Sequence, residues 1–97
     1  MNWFSQLTRL ILDFYRENPI QLAQLSKLES CRVSRRGGVL RVDCRDFSTA
    51  EAIVKAGALL KEPIAQLRLA HHINITVRGS LLASLPIDAS NSARLSI

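Results

Sequence analysis

The chain has 97 residues, of which 47% are hydrophobic and 22% charged, and its formal net charge is +5. This composition is ordinary for one folded domain, and two cysteines without C-x-x-C spacing exclude a disulfide scaffold and the common zinc and redox motifs. The positive charge favours anionic partners such as nucleic acid, acidic protein or lipid headgroups.

Two helices are predicted at the start of the chain. In the first, Asn2–Glu17, apolar residues that include Trp3 and Phe4 recur at steps of three and four and share one face. Asn18 should then cap a short second helix, with Pro19 as its first residue and leucines as its apolar stripe.

A β-hairpin is predicted in RVSRRGGVLRV, residues 32–42. Its two period-two runs are separated by Gly37-Gly38, which suits a two-residue turn with positive φ at both positions. In this register Arg32 lies opposite Asp43. A turn one residue earlier sets Arg32 against Arg41, and opposed like charges are unfavourable. We therefore prefer the first register.

A further helix and a strand follow the hairpin. Ser48 and Glu51 have capping-box spacing, so a helix should begin near Ser48. Pro63 lacks an amide donor and clashes with the preceding turn, so it should kink or break this helix. From His71 to Arg78 apolar and polar residues alternate, which predicts a half-buried strand.

These elements predict a single α+β domain at residues 1–79, followed by a flexible or loosely packed tail at residues 80–97. The order is α-α-β-β-α-β, with the third helix kinked or broken at Pro63. The three strands form one layer of a two-layer sandwich, with the helices on one face. A right-handed crossover would place the third strand beside the first. The tail could alternatively add an edge strand or bind a partner.

Residues 2–79 resemble two families of bacterial replication proteins in topology and hydrophobic pattern. The aromatic-rich first helix and leucine-rich second helix are similar to the start of the N-terminal interaction domain of the replication initiator DnaA. The strand GGVLRV, residues 37–42, with the helix and strand that follow it, resembles the KH-like domain of the helicase loader DciA. The resemblance implies protein–protein contacts in replication, or single-stranded DNA binding. The G-x-x-G loop of RNA-binding KH domains is absent, which argues against that mode of binding.

An arginine cluster around the predicted turn is the main candidate binding site. Its members are Arg32, Arg35, Arg36, Arg41 and Arg45. Arginine suits phosphate because its planar guanidinium donates paired hydrogen bonds. Alternatively, the arginines only keep an exposed sheet edge soluble and prevent it from pairing. No aromatic residue of the hairpin is available to stack on bases.

Three smaller features of the sequence are candidate sites. Trp3 and Phe4 are candidate protein-interaction residues, or alternatively belong to the core. Cys31 and Cys44 should lie opposite each other as buried thiols, from which a disulfide would need only a small adjustment. The adjacent histidines of His71-His72 face opposite sides of a strand, so no metal site is expected.

The sequence predicts a binding protein rather than an enzyme. Without paired carboxylates or a phosphate-cradling loop at recognisable spacing, we expect no catalytic residue, metal or cofactor. The leading hypothesis is a small cytoplasmic interaction module with protein partners, in which the basic hairpin adds a nucleic-acid contact. The alternatives are a dedicated DNA- or RNA-binding protein and a structural subunit of an assembly, a homodimer included. No apolar run approaches the roughly 18 residues that span a membrane, so no membrane partner is expected.

Overall fold

The computed structural model describes residues 6–87, which form a four-stranded sheet with helices packed on one face. The α+β class is confirmed. The strand order is β1-β2-β3-β4; the outer pairs are antiparallel, and β2 and β3 are parallel. The elements are α1 (Gln6–Asp13), α2 (Pro19–Gln24), a 3₁₀ helix (Ser26–Ser30), β1 (Arg32–Arg36), β2 (Val39–Cys44), α3 (Phe47–Lys55), α4 (Gly57–Gln66), β3 (His72–Val77) and β4 (Ser80–Pro86).

The expected three-stranded sheet is wrong, because Ser80–Pro86 pairs with β3 as a fourth strand. The sequence predicts this segment as the start of a tail at residues 80–97, of which residues 88–97 lie outside the described residues. The register shifts within β4, so that Leu81 and Ala83 pair with successive residues of β3 and Leu82 is the extra residue of a bulge. The bulge interrupts the period-two pattern, and the sequence therefore gives a weak strand signal here.

Two-residue turns close both hairpins. Gly37-Gly38 has φ of 57° and 80°, and the predicted register is confirmed, with Arg32 paired with Asp43. Arg78-Gly79 forms the second turn, with φ of 50° and 88°. The positive φ at both positions of each turn matches the twist of the two strands it joins.

The third strand lies beside β2, and the prediction that it would lie beside β1 is wrong. β3 brings the fully buried Ile73 and Ile75 into the sheet centre, next to Leu40 and Val42 of β2. β1 carries three arginines in five residues. A strand of this kind is better placed at an edge, because guanidinium groups remain hydrated there and discourage pairing with other chains.

The helical region after β2 is broken, but at Ala56 between α3 and α4 rather than at Pro63. α4 runs through Pro63. The N-cap of α3 is Asp46 instead of Ser48, since the Asp46 carboxylate accepts the Thr49 amide at 2.8 Å. A carboxylate is well suited to this position because it also faces the positive end of the helix dipole.

Pro63 is accommodated because Tyr15 supplies the hydrogen bond that proline cannot. In a regular helix the amide of residue 63 would bond to the Leu59 carbonyl. The Tyr15 hydroxyl donates to that carbonyl at 2.7 Å, and the Tyr15 side chain is only 7% exposed. This bond ties the segment that follows α1 to the first turn of α4.

The core lies between the helices and the inner face of the sheet. As predicted, Asn18 caps α2, its side chain accepting the Gln21 amide at 3.2 Å, and Pro19 is the first helical residue. The fully buried side chains come from every layer, which shows that the helices and the sheet share one core. They include Ile11, Leu25, Leu28, Leu40, Val42, Ile53, Leu60, Ile64, Ile73 and Ile75.

Replacing Tyr15 by Phe should destabilise the protein by about 1–2 kcal/mol, because it leaves the Leu59 carbonyl without its partner. In a Pro63→Ala background, the new alanine would supply an amide to the same carbonyl. The effect of Tyr15→Phe should then fall below about 0.5 kcal/mol, and urea unfolding of the four proteins measures this coupling. Equal effects in both backgrounds would show that the two residues do not share the carbonyl.

Candidate binding face of the sheet

The face of the sheet that points away from the helices carries a polar and basic surface, here called the outer face. Alternation along the paired strands places polar side chains on this face. The exposed ones include Arg32, Arg36, Arg41 and Ser84, and the half-buried ones include His72 and Asn74.

Three of the five predicted arginines share the outer face. Arg32 and Arg36 lie four residues apart on β1, which corresponds to about 13 Å along a strand. Arg41 on β2 pairs with Ser34, midway between them. Among the four described strands, Asp43 is the only acidic residue. The arrangement is therefore a triangle of guanidinium groups with one carboxylate nearby.

Asp43 is engaged mainly by the neighbouring strand and turn, rather than by Arg32 as the predicted pairing suggested. Its Oδ1 accepts hydrogen bonds from Thr76 Oγ1 at 2.5 Å and from the Gly79 amide at 2.9 Å. The Thr76 bond and then the Gly79 bond lower the pKa of the Asp43 carboxyl, and Arg41 and Arg32 lower it less. Asp43 thus holds the second hairpin turn against β2, and Arg32 keeps hydrogen-bonding capacity for a ligand.

The remaining two predicted arginines lie apart from this triangle. Arg35 lies on the same side of β1 as the buried Val33, and its Nη1 donates to the Leu69 carbonyl at 3.1 Å. Arg45 is exposed beyond the end of β2, where its carbonyl accepts Arg78 Nε at 3.1 Å. Arg35 therefore anchors a loop, while Arg45 extends the basic surface at one end.

Beside Arg45 the end of the sheet borders an open cleft of about 1040 Å³, which Cys31 and Cys44 line. Their Sγ atoms are 3.5 Å apart and both thiols are buried and free, as the register predicted. Burial is the largest cause that raises the pKa of both thiols, that of Cys44 to about 12. Both are protonated at neutral pH, so they serve as small core residues rather than nucleophiles.

Sequence reasoning missed the polar half of the outer face. Ser84 lies in the segment predicted as a tail, and the sequence predicts Asn74 only as a polar residue of an alternating strand and His72 as one of two histidines without a metal site. Ser84 Oγ donates to Asn74 Oδ1 at 2.9 Å and is also hydrogen-bonded to His72 Nε2. The alternation in β3 predicts that these side chains share one face. Only the pairing of β3 with β4 shows that Ser84 lies beside them.

The two predicted protein-interaction residues, Trp3 and Phe4, lie outside the described residues, so their role stays a prediction. Near them in sequence, Leu10, Phe14 and Ile20 are exposed by 45%, 40% and 73%.

Across residues 6–87 no three His, Cys, Asp or Glu side chains are grouped to hold a metal ion. In the same range no helix has the length and apolarity needed to cross a membrane.

Replacing Asp43 by Asn should lower stability at pH 7 by roughly 1 kcal/mol, because Asn keeps the acceptor but loses the charge that strengthens both hydrogen bonds. The folded-state pKa of Asp43 is lowered, so its ionised form stabilises the fold above the unfolded value of 3.8. This contribution disappears as pH falls through the folded-state value. Thermal unfolding from pH 7 to 2 should show the two proteins converging, with Glu51→Gln as control; a constant difference would contradict it.

The outer face is identified by its geometry and charge. Residues from all four strands contribute to it, and the sheet register determines which of them are neighbours. Comparisons with models of known protein families, with curated proteins and with solved structures find no match for this chain.

Proposed function

We propose that this protein is a non-enzymatic binding module whose outer face holds the phosphate backbone of a nucleic acid. The observation that carries the proposal is the triangle of Arg32, Arg36 and Arg41 on a sheet face that no described helix covers. Guanidinium groups bind phosphate oxygens in pairs, and most protein–DNA hydrogen bonds go to the sugar-phosphate backbone. The likeness to DnaA and DciA domains remains a hypothesis about its biological setting.

The separation of roles among the arginines supports this function over simple solubility. A strand edge can be protected by any charge along it. Here Arg35 is engaged by the Leu69 carbonyl, and the other two arginines of β1 project to the same side as Arg41. Asp43, the only acid of the described strands, directs Oδ1 to Thr76 and Gly79, and its single charge does not cancel those of the three arginines. Positive charge is thus concentrated on one side of the sheet.

Binding should be strongly salt-dependent and weakly sequence-dependent. Three phosphate contacts on a single strand predict a slope of log K against log salt of about −2. The Arg36→Gln/Arg41→Gln variant should reduce this slope to about −0.7, because one contact remains. Fluorescence anisotropy with labelled oligonucleotides, between about 50 and 200 mM salt, measures both slopes.

The matched control is Arg9→Gln/Arg16→Gln, which removes the same two charges from exposed positions on the helical side. This variant should keep the wild-type slope apart from a small long-range change. If both variants weaken binding equally, net charge and not the outer face is responsible. Absence of binding at about 50 mM salt would exclude the nucleic-acid function.

A second candidate function is self-association, favoured by the edge of β4, with which no strand within residues 6–87 pairs apart from β3. Ser80–Pro86 has no charged residue, and Leu81 and Leu82 are exposed by 62% and 39%. The opposite edge, β1, is protected by arginines. Two copies could pair their β4 edges antiparallel about a two-fold axis, which would join two sheets and extend the outer face. The bulge and Pro86 would limit this pairing to a short stretch.

Light scattering over a wide concentration range tests this candidate. A wild-type dimer that Leu81→Lys converts to a monomer would support pairing through β4, since each copy would bring a charged side chain to the apolar edge. Ile20→Lys, at another exposed apolar position, should leave the dimer intact. A monomer at every concentration, or a dimer that only Ile20→Lys disrupts, would contradict it.

A further inference from the structure

The open cleft at the end of the sheet has basic residues along it that no role above explains. Three of the residues that line it are arginines, Arg32, Arg45 and Arg78. Arg32 also belongs to the triangle on the outer face, so the cleft is continuous with the proposed phosphate-binding surface. A ligand held by that triangle therefore extends into the cleft if it follows the line of the arginines.

The arginines of the outer face form rows that lie two residues apart along β2. Arg36 is level with residue 39, Arg41 lies at residue 41, and Arg32 is level with residue 43. Each step of two residues corresponds to about 6.6 Å along a strand. Successive phosphates of an extended single strand lie a similar distance apart. A phosphate backbone that follows these rows runs along the strands toward the cleft.

Two arginines lie together at the next position of this series, where they line the cleft. Arg45 is two residues beyond Asp43, and Arg78 directly follows β3, whose last residue pairs with Cys44. Arg78 Nε donates to the Arg45 carbonyl at 3.1 Å, and the Arg78 amide donates to the Cys44 carbonyl at 3.0 Å. Within residues 6–87 the two Nη groups of Arg78 have no acceptor, so they are available to a ligand.

The density of positive charge distinguishes the cleft from the rest of the outer face. Each of the three preceding rows has one arginine, which matches the single charge of an internal phosphodiester. The next row has two, and Arg32 lines the same cleft. A phosphate monoester carries about −1.5 to −2 charges at pH 7 and has three strong acceptor oxygens. Two acids, Glu29 and Asp43, also line the cleft and reduce its positive charge without cancelling it.

We propose that this cleft holds the terminal phosphate of a single strand that lies on the outer face, with Arg45 and Arg78 as its binding residues. The proposal rests on the function proposed above, in which the arginines of the outer face hold the internal phosphates. Guanidinium groups bind phosphate oxygens in pairs. The bond from Arg78 to the Arg45 carbonyl orders this side chain before the ligand arrives, which lowers the entropic cost of binding. A phosphate at the 5′ end or at the 3′ end has this chemistry.

The test uses three oligonucleotides of one sequence, with a 5′ phosphate, a 3′ phosphate or no terminal phosphate, each labelled internally. The wild-type protein should bind at least one phosphorylated oligomer about three- to tenfold more tightly than the unphosphorylated one, a modest gain because the cleft is open. Between about 50 and 200 mM salt, its slope of log K against log salt should be steeper by about 0.7–1.4, because one or two contacts are added. A preference for one end also gives the direction of the strand along the sheet.

The Arg45→Gln/Arg78→Gln variant should reduce this preference below about twofold and leave the salt slope of the unphosphorylated oligomer close to that of the wild type. Arg45→Gln alone keeps the backbone carbonyl that anchors Arg78, so it should give an intermediate preference. The matched control is Arg9→Gln/Arg16→Gln, which loses the same charge on the helical side and should keep the wild-type preference. Thermal unfolding should show that every variant is folded.

The outcomes separate this site from the proposed function. Equal binding of the three oligomers, or a preference that survives Arg45→Gln/Arg78→Gln, overturns the terminal-phosphate site but leaves phosphate binding by the outer face standing. A preference that Arg9→Gln/Arg16→Gln abolishes as well reflects net charge and also overturns the site. Failure to bind any oligomer removes the proposed function and this inference together.

Discussion

The parallel pairing of β2 with β3 is the constraint on which the rest of this structure depends. Each of these strands belongs to a hairpin closed by a two-residue turn, and a lone hairpin is marginally stable in water. Their pairing places the buried Leu40 and Val42 beside Ile73 and Ile75 and creates one continuous inner face. The crossover α3–α4 is the connection that a parallel pair requires.

Asp43 reinforces this pairing at the carboxyl ends of β2 and β3, where β2 leads into the crossover. Its carboxylate binds Thr76 on β3 and the amide of Gly79 in the second turn. The Arg78 amide adds a bond of 3.0 Å to the Cys44 carbonyl at the same place. One acidic residue therefore joins β2 to β3 and to the turn that leads into β4, which gives it a structural role among the arginines.

The separation of the two sheet faces follows from where the helices can pack. Apolar side chains of α1, α3 and α4 cover the inner face, and the polar positions of each strand are left outward. Because β2 and β3 are neighbours, the basic residues of the first hairpin adjoin the hydrogen-bonding residues of the second. Arg41 beside Asn74 is the point of contact between these two surfaces.

Local patterns predicted the local features of the molecule. The Gly37-Gly38 turn and the Asn18 cap could be read from sequence because each depends on a few adjacent backbone groups. The prediction that Ser48 caps α3 is wrong because Asp46, two residues earlier, also has a side-chain oxygen that can accept an amide hydrogen bond. Pro63 was expected to break a helix because its effect was judged locally, and the compensating Tyr15 hydroxyl reaches Leu59 from 44 residues away along the chain.

The sequence by itself determined the α+β class, the register of the first hairpin and the clustering of its arginines. These depend on hydrophobic period and turn chemistry, which act over short distances along the chain. Only the tertiary structure decided that β3 lies beside β2 and that β4 completes the sheet. It also decided that Arg35 lies apart from the other arginines and donates a hydrogen bond to the Leu69 carbonyl. Those outcomes depend on which surfaces meet after folding. Burial and hydrogen bonding between segments far apart in the chain leave no periodic pattern in the sequence.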